Sequence, residues 1–197
     1  MHAVQLPHYP ISLLNFTCAF VPFALLLAGA LLYAESTPDL VFYRTVYTIW
    51  ATTVLVTPAL CAFTLPSKSP RLRAIWLLFW SAAFIVYLVH AAYAVFGVYH
   101  GSFDEFLAGQ GVLPAVVNVV LTLWWALDVL LAWTRMDTPW INKQRIGAHF
   151  FIGLTFFAST VIIKRGFINV LGLLMAASVV LCLLALVDSR HRVRAAG

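Results

Sequence analysis

The chain has 197 residues, of which 63% are hydrophobic and 10% charged, and its mean hydropathy is +0.95. Soluble globular domains carry about 25% charged residues, so this composition excludes a water-soluble fold, a disordered chain and a disulfide scaffold. The formal charge of +5 does not indicate a nucleic-acid partner, because the Lys and Arg residues fall in short loops, where they set membrane topology. We therefore expect a polytopic membrane protein whose first partner is the lipid bilayer.

Six apolar runs are long enough to cross the bilayer, since about 30 Å of hydrocarbon takes roughly 20 helical residues. In chain order, the predicted transmembrane helices cover residues 11–34, 42–65, 74–98, 112–134, 146–163 and 167–187. The runs are continuous rather than alternating, which excludes an outer-membrane barrel. The sequence thus predicts an all-α fold with a single transmembrane domain over 1–197, built as a bundle of six helices.

Basic residues divide unequally between the two sides of such a bundle. Nine fall on one side, namely Lys68, Arg71, Arg73, Arg135, Lys143, Arg145, Arg190, Arg192 and Arg194. Three fall on the other side, namely Arg44, Lys164 and Arg165. Because cytoplasmic loops carry the excess of Lys and Arg, we expect both termini in the cytoplasm and a multi-pass protein of the cell membrane, of the bacterial inner-membrane type.

Lys164 and Arg165 run against this charge bias. They form a turn with Gly166 between the last two helices, since a Lys-Arg pair does not sit in hydrocarbon and Gly allows a tight turn. Two interpretations are open: the hairpin follows its neighbours, or the pair contacts an anion or an acidic partner on the outer face.

Asp128 is the one charged residue that the predicted topology leaves inside a helix. It precedes Arg135 by seven residues, which puts it roughly 10 Å inside the cytoplasmic boundary. A residue there must face the bundle and find a partner, or be neutral. His149 lies at similar depth, about 6 Å into the fifth helix, and is the expected partner. The pair is either a proton or ligand site or a packing contact between helices.

His90 lies in the third helix, about 25 Å from the cytoplasmic face. Small residues near it on the same helical face form a groove that could admit a flat cofactor such as haem or a neighbouring helix: Ala83, Val86, Ala94 and Gly97. Asn118 lies at a similar depth in the fourth helix and could hydrogen-bond His90. His90 and His149 cannot share one haem, because their depths differ by about 19 Å.

One stretch of the chain resembles a known family. Helix two ends in VTPAL, a basic loop follows, and RAIWLLFWSAAFIVYLVH then carries His90; a later basic loop leads into the helix that contains His149 and ends at Lys164. This order resembles the ferric reductase-like transmembrane proteins, six-helix haem b proteins that pass electrons across membranes. The resemblance implies His90 and His149 as haem-binding residues, with His90 as ligand of the haem iron. Where that family has a second histidine in helix five, this chain has Ile162.

The sequence leaves two functions from different classes. It contains no Gly-rich phosphate loop, HExxH or GxSxG motif, so we assign no catalytic residue. The first function is a non-catalytic subunit or packing partner of other membrane proteins, favoured by few intramembrane polar residues and minimal loops. The alternative is a haem b electron carrier. A transporter is a third interpretation, but its usual paired repeats and broken midplane helices are not visible.

Overall fold

A computed structural model describes residues 11–65, 69–134 and 138–195 of the protein. Across these ranges the structure is all-helical, and six of its helices are long and apolar enough to cross a membrane, which confirms the predicted fold class at that level. The elements are α1 (Leu13–Ala34), α2 (Leu40–Thr64), α3 (Pro70–Val98), α4 (Phe103–Gln110), α5 (Val112–Thr134), α6 (Pro139–Ile163) and α7 (Phe167–Ala195). α4 is too short to cross a membrane and connects α3 to α5.

Local sequence signals fix where the helices begin. Ser12, Asp39, Ser69 and Ser102 each precede a helix and accept a hydrogen bond from a backbone N–H of its first turn, as good N-cap residues do. α3 and α6 both begin at a proline, whose missing N–H is harmless in the first turn. These starts correct two predicted boundaries: the third helix begins at residue 70 rather than 74, and the fifth at 139 rather than 146.

α2 is the central helix of the bundle. It packs against α1, α3, α6 and α7, and 56% of its most apolar window is buried, against 11% in α1 and in α7. Its buried threonines hydrogen-bond carbonyls one turn back in the same helix; Thr52, for example, donates to the carbonyl of Thr48 at 2.8 Å. A membrane interior offers no water to these hydroxyls, so bonding within the helix lets polar side chains sit at its centre.

α3 and α6 both become π-helical at their C-terminal ends. The π-helical segments are Tyr93–Val98 and Ala158–Ile163. In α6, Asn169 of α7 donates from Nδ2 to the carbonyls of Thr160 and Val161, at 3.2 and 2.8 Å. The side chain from α7 thus satisfies carbonyls at this irregular end, which ties the last two helices together.

The hairpin between α6 and α7 turns at Gly166, which has a φ of 86° that suits glycine. Lys164 and Arg165 are exposed in this turn. Of the nine basic residues assigned to the other side, Lys68 and Arg135 lie outside the described residues. Arg145 is not a loop residue, as the predicted helix boundary made it; it is a buried residue of α6.

Candidate functional site

Asp128 is fully buried between α3, α5 and α6, and both of its carboxylate oxygens have donors. Oδ1 accepts from Nε2 of Gln144 at 2.6 Å and from Nε of Arg145 at 3.3 Å. Oδ2 accepts from the indole N–H of Trp80 at 3.0 Å. Bonds from three side chains replace the water that a carboxylate loses on burial. These residues, with His149 and Trp76, are called the Asp128 cluster below.

Arg145 is the charge partner of Asp128, which corrects the prediction that Asp128 is the only charge inside the bundle. The side chain of Arg145 is 7% exposed. Its guanidinium carbon lies 4.9 Å from the ring centroid of Trp76, a cation–π contact that adds stabilisation to a desolvated charge. Arg145 precedes His149 by one turn of α6, so the two side chains lie on one helical face. The charge is buried because a carboxylate and an aromatic face are there to receive it.

His149 is bonded at both ring nitrogens. Nε2 accepts from the indole N–H of Trp76 at 2.8 Å, and Nδ1 lies 2.8 Å from the backbone carbonyl of Arg145. An indole N–H only donates and a carbonyl only accepts, so this network assigns the neutral imidazole with its hydrogen on Nδ1. Nδ1 is 4.0 Å from Oδ2 of Asp128, which is contact but not a hydrogen bond.

The faces of the His149 ring are covered as well. Phe63 of α2 stacks on one side, with ring centroids 3.9 Å apart, and Trp80 of α3 stacks on the other at 4.0 Å. The imidazole therefore joins α2, α3 and α6 through two stacked rings and two hydrogen bonds. A metal ion needs a free nitrogen lone pair on the imidazole. In this geometry Nε2 already accepts a hydrogen bond and Nδ1 carries the hydrogen, so neither nitrogen offers one.

His90 of α3 packs beside the opposite end of α2 from His149. Its Nδ1 is 2.8 Å from the carbonyl of Thr45, so Nδ1 carries the hydrogen. Thr45 and Phe63, which contact His90 and His149 respectively, are separated by about 27 Å along α2. Asn118 does not bond to His90; its Nδ2 donates to Oε1 of Gln110 at 2.6 Å. His90 and Asn118 instead line one small cavity.

Aromatic side chains fill the core between the two histidines. Trp80 packs on Trp125 with ring centroids 4.8 Å apart, Trp125 packs on Tyr87 at 5.5 Å, and Tyr87 packs on His90 at 5.9 Å. Trp80 and Trp125 are fully buried. This column of rings occupies the bundle centre, where a flat cofactor held by either histidine would need room.

The residues do not fit a haem as they are arranged. His149 is closed on both faces and at both nitrogens, and the cavity beside His90 holds about 100 Å³. Pockets for drug-sized ligands run from about 300 Å³ upward, and a haem is larger than most such ligands.

Sequence reasoning brought Asp128 and His149 together but missed most of their partners. Gln144 and Arg145 were hidden by a helix start placed at residue 146. Trp76 and Trp80 were not among the candidate residues, although their spacing of one helical turn puts two indole donors on one face of α3. Two donor-only side chains on one face of a membrane helix were the available signal for a buried acceptor.

Comparisons with protein-family models, with curated proteins and with solved structures found no match to this chain.

Proposed function

We propose that the chain is a non-catalytic subunit or packing partner within a larger assembly of the cell membrane. The observation that carries this proposal is the closure of the Asp128 cluster. Asp128 uses both oxygens on Gln144, Arg145 and Trp80, and His149 uses both nitrogens. Side chains that are bonded to each other in this way hold helices in place. Both carboxylate oxygens of Asp128 and both ring nitrogens of His149 have partners, whereas Nη2 of Arg145 is buried without a hydrogen-bond partner among the described residues.

The outer surface of the bundle supports the same proposal. Only 11% of the most apolar window is buried in α1 and in α7, so both helices offer long apolar faces to lipid or to a neighbouring membrane protein. The connections are short, and α6 passes to α7 through residues 164–166. With little chain outside the helices, contacts to other molecules would be made mainly through the helix faces.

The proposal includes an orientation with both termini in the cytoplasm of a bacterial inner membrane. Removing the buried Arg145 from the loop charges leaves eight basic residues on the α2–α3, α5–α6 and C-terminal side: Lys68, Arg71, Arg73, Arg135, Lys143, Arg190, Arg192 and Arg194. Arg44, Lys164 and Arg165 remain on the opposite side. The bias that supports the orientation is therefore almost unchanged.

Purification from the native membrane in a mild detergent tests the subunit role. We expect a second membrane protein at a fixed molar ratio to this chain, retained through a second, different purification step. The matched comparison is the variant Asp104→Asn, which changes an exposed residue of α4 and should keep the same ratio. Recovery of the chain alone in both forms would contradict the proposal.

The competing function is the haem b electron carrier. His90 keeps one ring nitrogen without a hydrogen-bond partner among the described residues, but a haem would need more room than the cavity of about 100 Å³ beside it. The electron-carrier function is tested by the visible absorption spectrum of the purified protein. A Soret band that is lost in His90→Ala would favour this candidate over the subunit proposal. A colourless protein from cells supplied with haem would remove it.

A further inference from the structure

A small, half-open cavity with both apolar and polar lining residues lies between α3, α4 and α5, at the end of the bundle away from the Asp128 cluster. It holds about 100 Å³, and its polar lining consists of Tyr87, His90, Gln110, Asn118 and Thr122. Ala94 lines it from the π-helical segment of α3. Such segments are rare and are often found at functional sites.

The free hydrogen-bonding atoms of this cavity include both acceptors and a donor. Nδ1 of His90 bonds to the carbonyl of Thr45 on α2, which leaves Nε2 as the free acceptor of a ring that lines the cavity. Gln110 accepts from Asn118 through Oε1, and its NH2 group has no acceptor among the described residues. Two acceptors, Nε2 of His90 and Oδ1 of Asn118, and one donor group, the NH2 of Gln110, are thus left for a bound molecule.

The two hydroxyl groups of the lining are already engaged. The hydroxyl of Tyr87 lies 3.1 Å from Oγ1 of Thr122 and 3.5 Å from the carbonyl of Asn118, and Thr122 donates to that carbonyl at 2.7 Å. None of the lining residues is Asp, Glu, Lys or Arg. A bound ion would find no counter-charge among these lining residues, so we expect the site to favour a neutral molecule.

We propose that this cavity binds a small neutral molecule that carries an N–H or O–H donor beside a carbonyl or hydroxyl acceptor, of the amide or alcohol class. Its donor meets Nε2 of His90 and its acceptor meets the NH2 group of Gln110. The volume equals that of about three water molecules, which sets the size of the ligand. The site lies far from the Asp128 cluster, and the proposal does not depend on the subunit role.

Three probes of nearly the same shape test the assignment. Acetamide has both a donor and an acceptor, acetone has only the acceptor, and acetate is charged. Each is titrated at millimolar concentrations into the full chain, labelled with ¹⁵N at histidine and held in lipid nanodiscs, with the His90 signal assigned from His90→Gln. We expect acetamide to shift the Nε2 resonance of His90 until the shift reaches a plateau. We expect acetone and acetate to give no plateau over the same range of concentrations.

Two variants tie the response to the cavity. Ala94→Leu fills the space, and Gln110→Leu, on the half-buried face of α4, removes the donor; each should abolish the saturable shift while helix content by circular dichroism stays the same. If Ala94→Leu does not fold, the result for Gln110→Leu is sufficient to decide the test. A response that is linear for all three probes, or that survives in Gln110→Leu, would overturn the proposal and leave the cavity to water.

Discussion

The indole N–H of Trp76 donates to Nε2 of His149 at 2.8 Å, and this bond fixes the tautomer of the most enclosed histidine in the described bundle. Because Nε2 is occupied, the hydrogen sits on Nδ1 and is given to the carbonyl of Arg145. Trp76 also lies under the guanidinium of Arg145. One tryptophan thus orients both the imidazole and the cation of the Asp128 cluster.

Trp76→Phe should destabilise the bundle by about 1–3 kcal/mol, because it leaves Nε2 of His149 buried without a donor. The measurement is the free energy of unfolding in mixed micelles. Trp133→Phe is the matched control, since Trp133 is exposed and donates to Oγ of Ser81 at 2.9 Å. We expect a smaller loss there. Equal losses in the two variants would mean that leaving the buried Nε2 of His149 without a donor does not lower stability.

Asp128→Asn should be more damaging, with a loss of about 3–5 kcal/mol, because it leaves the buried Arg145 charge without its counter-ion. Combining it with Arg145→Gln should cost less than the sum of the two single losses, since paired residues are energetically coupled. Asp104→Asn, on the exposed surface of α4, should change stability little. Additive losses in the double variant would show that the Asp128–Arg145 contact contributes nothing of its own.

Gly172→Ala should weaken the contact between α6 and α7. A Cβ at Gly172 would lie 2.7 Å from Cβ of Thr160 and would overlap its hydroxyl, and overpacking of this kind costs about 1–3 kcal/mol. Gly29→Ala is the control, because nothing lies within 4 Å of a Cβ there. We expect a lower melting temperature for the first variant only. Tolerance of alanine at both positions would argue against the close approach of α7 to the π-helical end of α6.

The orientation is tested by labelling single cysteines with a membrane-impermeant maleimide, after Cys18, Cys61 and Cys182 are replaced by serine. Asp104→Cys and Lys143→Cys place the thiol at exposed positions of α4 and α6, toward opposite ends of the bundle. With both termini in the cytoplasm, Asp104→Cys should react in intact cells and Lys143→Cys only after permeabilisation. The reverse pattern would invert the topology.

The sequence predicted the helices well because their signal is long and redundant. The fourth predicted helix, 112–134, matches α5, and the break at Lys164 and Arg165 falls between α6 and α7. The start of α6 was missed because Lys143 and Arg145 look like loop charges. A charge count cannot tell a solvated arginine from one that is buried against a carboxylate.

The site was harder to predict because its geometry depends on which helix faces meet. Depth along the helices correctly placed Asp128 near His149. Depth does not tell how each helix is rotated about its axis, and the hydrogen bonds of Asp128 go to other residues. The same limit applies to His90, whose bonded carbonyl comes from α2 and whose cavity is lined in part by the short helix α4. Periodicity in one chain segment does not reveal such pairings.

The native mass of the particle released from its own membrane tests the subunit proposal most directly. The chain alone has a mass of 21.9 kDa. The account predicts a particle whose mass exceeds this by at least one different membrane protein in whole-number ratio, with no absorbing cofactor on this chain. A particle that contains only this chain and lipid, in repeated extractions under mild conditions, would contradict it.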